Sequence, residues 1–339
     1  MPGAGAFKAV SVILTPACNL RCAYCYQGRR AGGQMAWGTL RAALDLLLDS
    51  QQRQVELEFY GCEPLLAFPL LRRGIAYAKA RCPPRLRLRF GVTTNGLLLD
   101  ERRAGFLARH RVRTSLSFDG LPAAQDQRAP GSFARLDRTL DRLRRRHPRF
   151  FGKHLEVGLT LTAANLTTLA DSVEYFFGKG LRTIHLNPRL TPDPDWRPGS
   201  IDELDRQLSR VYRSSRRLYE RTGRVPLVLF NKAGRLARTR TQDGLVCGAG
   251  SGLALTVDVD GQVTGCVLFA GSYRSTSWTR LQPGLPALQI GRLGEPEFTA
   301  RLAAYPERAR ESGLLVRPPG AHSFDGRCSE CRHRPRCHV

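Results

Sequence analysis

The sequence predicts an α/β fold. Its expected parts are a partial, TIM-like (β/α)6 barrel over residues 7–190, a linker and packing helix over 191–240, and a small cysteine-rich domain over 241–339. Three observations carry this reading. Strand-like and helix-like stretches alternate through the first two hundred residues. Short polar and glycine-bearing motifs follow the strand-like stretches, where parallel barrels place their chemistry. From about residue 241 the character changes to glycine-rich, hairpin-like sequence that carries Cys247, Cys266, Cys328, Cys331 and Cys337.

The elements follow in order. AVSVILT (9–15) is a short β-rich run ending at a cysteine loop. Residues 39–50 place Leu40, Leu44, Leu47 and Leu48 on one helical face. VELEFYG (55–61) alternates as a half-buried strand does, and 69–80 follows as a helix. A strand over 87–96, a helix over 100–110 and a strand over 112–120 repeat the order. A helix over 132–146, a strand over 155–162, a helix over 165–180 and a strand over 182–188 bring the total to about six units. Such a series argues for a parallel barrel or an open parallel sheet. TPDPDWRPGS (191–200) is a proline-rich linker. The amphipathic helix over 201–223, with Leu204, Leu208, Val211 and Leu218, is expected to pack on the barrel.

Among 339 residues, 53 Lys and Arg oppose 29 Asp and Glu, a formal net charge of +24 that favours acidic partners. The cations are nearly all Arg; the lysines are Lys8, Lys79, Lys153, Lys179 and Lys232. DRLRRRHPR (141–149) reads as a solvated helix face, because no aromatic residues are interleaved with it as base-stacking platforms. Nucleic acid is therefore not the expected partner. No apolar stretch approaches the ~20 residues that span a bilayer, and the N-terminal apolar run is too short for a signal peptide. A cytoplasmic protein without a membrane partner is expected. In that reducing compartment ten cysteines point to metal or redox work instead of disulfides.

CNLRCAYCYQ (18–27) sets Cys18, Cys22 and Cys25 on one short loop. Three thiols can hold three irons of a four-iron cluster and leave the fourth iron open. A structural zinc with a fourth ligand from elsewhere is the competing reading. CxxxCxxC with Tyr24 before the third cysteine, after the first strand of a β/α run, resembles the radical SAM family. The resemblance implies a [4Fe–4S] cluster on these cysteines whose open iron is chelated by S-adenosylmethionine. An electron from the cluster would cleave the cofactor to a 5′-deoxyadenosyl radical that abstracts hydrogen from substrate.

Neighbouring motifs extend the resemblance. YGCEPLL (60–66) is similar to the family's Gly-Gly-Glu-Pro motif, which cradles the methionyl amino group. Gly61, Glu63 and Pro64 are kept, while Cys62 replaces the second glycine and reads as a packing residue. TTNG and SFDG nominate Asn95, Ser117 and Asp119 as cofactor contacts. QDQRAPGSF (125–133) resembles the segment whose arginine pairs the cofactor's carboxylate, which nominates Arg128 through bidentate geometry. A surface role is the alternative for Arg128.

Cys247, Gly261 at a DG turn, Cys266 and the CxxCxxxxxC of Cys328, Cys331 and Cys337 resemble the SPASM domain and its shorter twitch form. The full domain carries seven cysteines for two further clusters; five are present here. At least one auxiliary [4Fe–4S] cluster is implied, on Cys247, Cys266, Cys328 and Cys331, with a structural zinc as the alternative. His333 or His338 could complete a site. The resemblance implies maturation of a ribosomally made precursor peptide by cross-linking or another side-chain modification. Expected partners are that peptide, a separate leader-binding protein and a low-potential donor such as flavodoxin or ferredoxin. Sulfatase-type maturation and alcohol oxidation are alternatives, with RNA modification and a non-catalytic iron–sulfur carrier ranked below them. In the sulfatase-maturing branch an Asp base follows the second hairpin cysteine, whereas Val267 follows Cys266 here. His185 and Asn187 face either substrate or neighbouring side chains.

Overall fold

The computed structural model describes residues 7–27, 33–231, 248–273 and 286–312. Cys247, Cys328, Cys331, Cys337, Lys232, His333 and His338 lie outside the described residues. Six strands lie side by side in chain order and pair in parallel. They are β1 (Ala9–Ile13), β2 (Gln54–Tyr60), β3 (Arg87–Thr94), β4 (Arg113–Ser117), β5 (Leu155–Leu161) and β6 (Ile184–Pro188). Helical crossovers join them: α1 (Trp37–Leu48), α2 (Phe68–Arg81), α3 (Glu101–Arg109), then α4 (Pro122–Gln125), α5 (Ser132–Arg146) and α6 (Pro148–Lys153), then α7 (Leu169–Lys179). This is the partial (β/α)6 barrel that the alternation predicts.

Alternation within each strand separates two faces. In β2, Val55, Leu57 and Phe59 are buried, and in β5 Leu155, Val157, Leu159 and Leu161 are. They share one core with helix residues such as Leu40, Leu71 and Val173. Each such side chain contributes about 1.5–3 kcal/mol on burial, so a one-residue slip that turned them to the other face is strongly disfavoured. Glu58, Arg113, Glu156 and His185 occupy the opposite, inward face of the sheet.

Several helix ends follow from local chemistry. Asp100 caps α3 by accepting the Arg103 N–H at 2.7 Å, and Gly180 closes α7 with φ 80°. Helix α8 (Pro198–Thr222) begins inside the stretch read as linker. Pro198 suits the first helical turn, where its missing N–H costs nothing, and the Arg197 N–H donates to Ser200 Oγ at 3.1 Å. The helix packs along α7, where Gln207 accepts the Ala170 N–H at 3.0 Å.

The sheet continues past β1. Strand β7 (Ala254–Val257) pairs with β1 in parallel, and β8 (Gln262–Thr264) and β9 (Gln289–Arg292) follow antiparallel. The β7–β8 turn is the expected DG turn, with Gly261 at φ 87° and its N–H bonded to Asp258 O at 2.9 Å. Helix α9 (Phe298–Glu311) was not legible in the sequence because Pro306 lies inside it. Its wholly buried Tyr305 donates a hydrogen bond to Ala249 O at 2.8 Å. Tyr305→Phe removes that hydrogen bond from the core. Denaturant unfolding should show a loss of about 1–2 kcal/mol, and an unchanged midpoint would refute the role of this bond.

Candidate active site

A cavity of about 420 Å³ lies at the C-terminal ends of the parallel strands. Its wall brings together Cys18, Cys22, Cys25, Gly61, Asn95 and Arg128, from the loops after four different strands. Thr15, just past β1, organises the first loop: its Oγ1 accepts the Ala17 N–H at 3.1 Å and donates to Gly33 O at 2.6 Å. Within the loop the Leu20 N–H donates to Cys18 Sγ at 3.3 Å, and the Cys25 N–H to Cys22 O at 3.1 Å. The Ala23 N–H reaches Gln127 O at 2.8 Å and ties the loop to the segment that carries Arg128.

The loop after β2 lies tight against this one. Cys62 N–H donates to Thr15 O at 3.1 Å, and Glu63 N–H to Ala17 O at 3.0 Å. Gly61 has φ 137°, and a Cβ there would stand 2.6 Å from Thr15 O. Only glycine fits so close a backbone approach. Cys62 is absent from the positive-φ residues, so its Cβ meets no such penalty. It packs with Ile13, Tyr60 and Tyr273 and also lines the cavity.

Glu63, Pro64 and Asp119 do not line the cavity; they stand behind its wall. Glu63 is fully buried and accepts from Leu65 N at 3.0 Å, Thr94 Oγ1 at 2.8 Å and Asn95 N at 2.8 Å. Burial pushes its carboxyl up to about 7 against the pull of those donors. Its observed work is to fix Thr94 and Asn95, which are on the wall. Asn95 in turn donates from Nδ2 to Asn19 Oδ1 at 2.8 Å and approaches Cys18 Sγ at 3.9 Å.

Asp119, also fully buried, accepts from the Tyr24 hydroxyl, from Arg128 Nε at 3.0 Å and Nη2 at 2.9 Å, and from the Thr160 N–H at 2.9 Å. The Arg128 guanidinium lies 5.2 Å over the Tyr24 ring. Its Nη2 also reaches Thr160 Oγ1 at 3.2 Å, which leaves Nη1 without a partner among the described residues. Arg128, its side chain 10% exposed, is thus a mostly covered cation at the cavity wall, not a surface arginine. Burial raises the Cys22 thiol, and the neighbouring Arg128 pulls it back down.

Beneath the cavity the inward strand faces carry a charged network that motif reading missed. Arg113 donates to Glu56 at 2.6 Å, Glu58 at 2.8 Å and Glu156 at 3.3 Å, and His185 Nε2 lies 3.1 Å from Glu156. Thr93, on the wall, donates to Glu58 at 3.1 Å. Gly91 makes room for this carboxyl: a Cβ there would fall 1.8 Å from Glu58 Oε2. Burial lifts Glu58 to about 7, with Arg113 opposing and Glu56 adding to the rise. The signal was present in charged residues that alternate in phase with buried apolar ones along β2, β4 and β5. A second unforeseen feature is a hydroxyl pair on the wall, Tyr26 and Tyr60, 2.8 Å apart.

The donor set suits an iron–sulfur cluster. Among the described residues no three His, Cys, Asp or Glu side chains are grouped to hold a single ion. Thiols that each take a different iron need only ring a common cavity, as these three do.

Residues 12–171 match the family model described as the Radical SAM superfamily. An uncharacterized protein of Methanocaldococcus jannaschii is 26% identical over 66% of this chain and 74% of its own length. The serine-type anaerobic sulfatase-maturating enzyme of Klebsiella aerogenes is 26% identical over 74% of this chain and 64% of its own length. Among solved structures, native anSMEcpe with bound AdoMet superposes with a TM-score of 0.73 at 17% identity, covering 97% of this chain and 88% of that one. Streptococcus suis SuiB bound to the precursor peptide SuiA gives 0.57 at 12% identity, covering 98% and 71%. At these identities the structural likeness is one of fold.

Two measurements probe the geometry. Gly61→Ala should destabilise the protein by at least about 2 kcal/mol in denaturant unfolding, since it combines a strained φ with a backbone clash; wild-type stability would remove the packing argument. Glu58 has a folded-state pKa above its unfolded value, so the stability it contributes is full below pH 4.5 and is lost as pH rises through about 7. Glu58→Gln should therefore gain on wild type between pH 5 and pH 8 by on the order of 2 kcal/mol, read as the change in the difference and not its offset. A pH-independent difference would contradict the assigned shift.

Proposed function

We propose that this chain, whose residues 12–171 match the Radical SAM superfamily, is a radical SAM enzyme that matures a ribosomally made precursor peptide by hydrogen abstraction. The observation that carries the reading is the three-thiol rim of one cavity shared with Gly61, Asn95 and Arg128. When bound, a [4Fe–4S] cluster and S-adenosylmethionine supply a 5′-deoxyadenosyl radical for that abstraction. Cys18, Cys22 and Cys25 would hold the cluster. Arg128 Nη1 would meet the cofactor's carboxylate, and Tyr24 and Asp119 would hold the guanidinium in place. Gly61, Asn95 and Ser117 would line the cofactor, while Glu63 and Pro64 would act through the loop they support.

Residues 7–190 would form the catalytic unit, 191–240 a linker and packing helix, and 241–339 an auxiliary unit in which Cys247, Cys266, Cys328 and Cys331, with Cys337 to spare, bind a further [4Fe–4S] cluster. A low-potential flavodoxin or ferredoxin would supply electrons, and a separate protein could present the leader. No helix among the described residues is long and apolar enough to cross a membrane.

The sulfatase-maturating relatives support a second reading, in which a protein side chain is oxidised instead of cross-linked. Val267 follows Cys266, and the described cavity wall carries no Asp or Glu to serve as base, so cross-linking is preferred. Anaerobic reconstitution with iron and sulfide tests the reading. Wild type should bind about eight irons and cleave the cofactor, and the Cys18/Cys22/Cys25→Ala variant should bind about four and cleave none. Cleavage by the variant would overturn the assignment of these thiols. Cofactor cleavage that never alters a co-encoded peptide, while a sulfatase peptide is oxidised, would select the second reading.

A further inference from the structure

The basic run 141–149 has no part in the site above, yet the fold gives it a place. A shallow basin of about 880 Å³ lies at the other end of the barrel, lined by Arg111, Arg146, Arg149, Lys153 and two histidines. These residues precede β4 or β5, whereas the cavity is lined from within the strands and from the loops that follow them. Along β5 the nearest lining residues, His154 of the basin and Gly158 of the cavity, are four residues or about 13 Å apart.

The four cations are exposed, and none forms an ion pair among the described residues. The basin lining contains no Asp or Glu. The neighbouring carboxylate, Glu101, is already engaged by His147 at 2.9 Å and by Arg142 at 3.9 Å. His154 reports the local field: burial lowers its pKa, and Arg111 and Lys153 lower it further.

Arg111 adds an independent observation. It closes α3, with its N–H bonded to Ala108 O at 3.1 Å and the Val112 N–H to Leu107 O at 2.9 Å. Its φ is 53°, and among the described residues it is the one non-glycine with positive φ. Glycine is the usual occupant of such a closing position because it avoids the strain. The fold accepts that strain and keeps a guanidinium on the basin.

We propose that this basin docks an acidic peptide segment, a stretch of Asp and Glu that lies outside the part modified in the cavity. Guanidinium groups match carboxylates in bidentate geometry. Phe150 and Phe151 beside the basin are buried to 3% and 5% exposure and offer no face for stacking bases. The choice of a peptide over nucleic acid also rests on the substrate class proposed above.

Fluorescence anisotropy of a labelled Glu/Ser peptide with the full-length protein tests this directly. A neutral Gln/Ser peptide and a single-stranded RNA of equal charge serve as comparisons. Binding of the Glu/Ser peptide should weaken at least about tenfold in R146E/R149E/K153E and fall with added salt. It should change little in R41E/R138E/R213E, which has the same charge change elsewhere on the surface. Arg111→Gly should raise thermal stability and weaken peptide binding together. Equal losses in the two triple variants would reduce the effect to net charge and overturn the site, and tighter binding of RNA at the basin would overturn the occupant. Cofactor cleavage by the R146E/R149E/K153E variant should stay at the wild-type level, so a failure here is separable from a failure of the catalytic reading.

Discussion

Asp119 holds the active end of the barrel together. From the end of β4 its carboxylate collects the Tyr24 hydroxyl of the cysteine loop, the Arg128 guanidinium and the backbone of Thr160 on β5. Three segments distant in sequence thereby acquire fixed positions around one buried ion pair. Removing either member would leave the other buried and uncompensated, a far greater cost than the pair's own net worth. Glu63 does comparable work on the other flank through Leu65, Thr94 and Asn95, with no cation among the described residues in hydrogen-bonding contact. The wall of the cavity is therefore held by residues that do not line it.

Those two carboxylates also show what a motif can and cannot reveal. SFDG and YGCEPLL mark the right loops, and the reading of Asp119 and Glu63 as candidate contacts located them in sequence. Their roles needed the third dimension, because a hydrogen bond from Tyr24 to Asp119 spans residues that no local pattern relates. The parallel order of six strands was legible from periodicity alone. The three C-terminal strands were less so: β9 is four residues long, and α9 contains a proline that local propensity forbids. The start of α8 was misplaced for the opposite reason, since Pro198 punctuates a loop and opens a helix equally well.

The distribution of charge is uneven in a way that the net value of +24 conceals. Carboxylates gather on the inward face of the sheet, where Glu56, Glu58 and Glu156 share Arg113. Cations without ion-pair partners among the described residues gather before β4 and β5. The barrel thus carries a carboxylate-rich network beneath the cavity and a cluster of cations at its opposite end. Such separation orients an anionic chain before contact, which bulk charge alone does not do.

The place of β1 has a consequence for how the chain reaches this state. Its partners are β2, about forty-five residues on, and β7, which begins at Ala254. During synthesis, β1 can pair with β2 early and with β7 only after about two hundred further residues have emerged. Until then β1 is a bare apolar edge (Val10, Val12 and Ile13) able to recruit the wrong strand. Closing so long a loop is entropically slow. The interval before β7 arrives is thus the window in which that edge is open to mispairing.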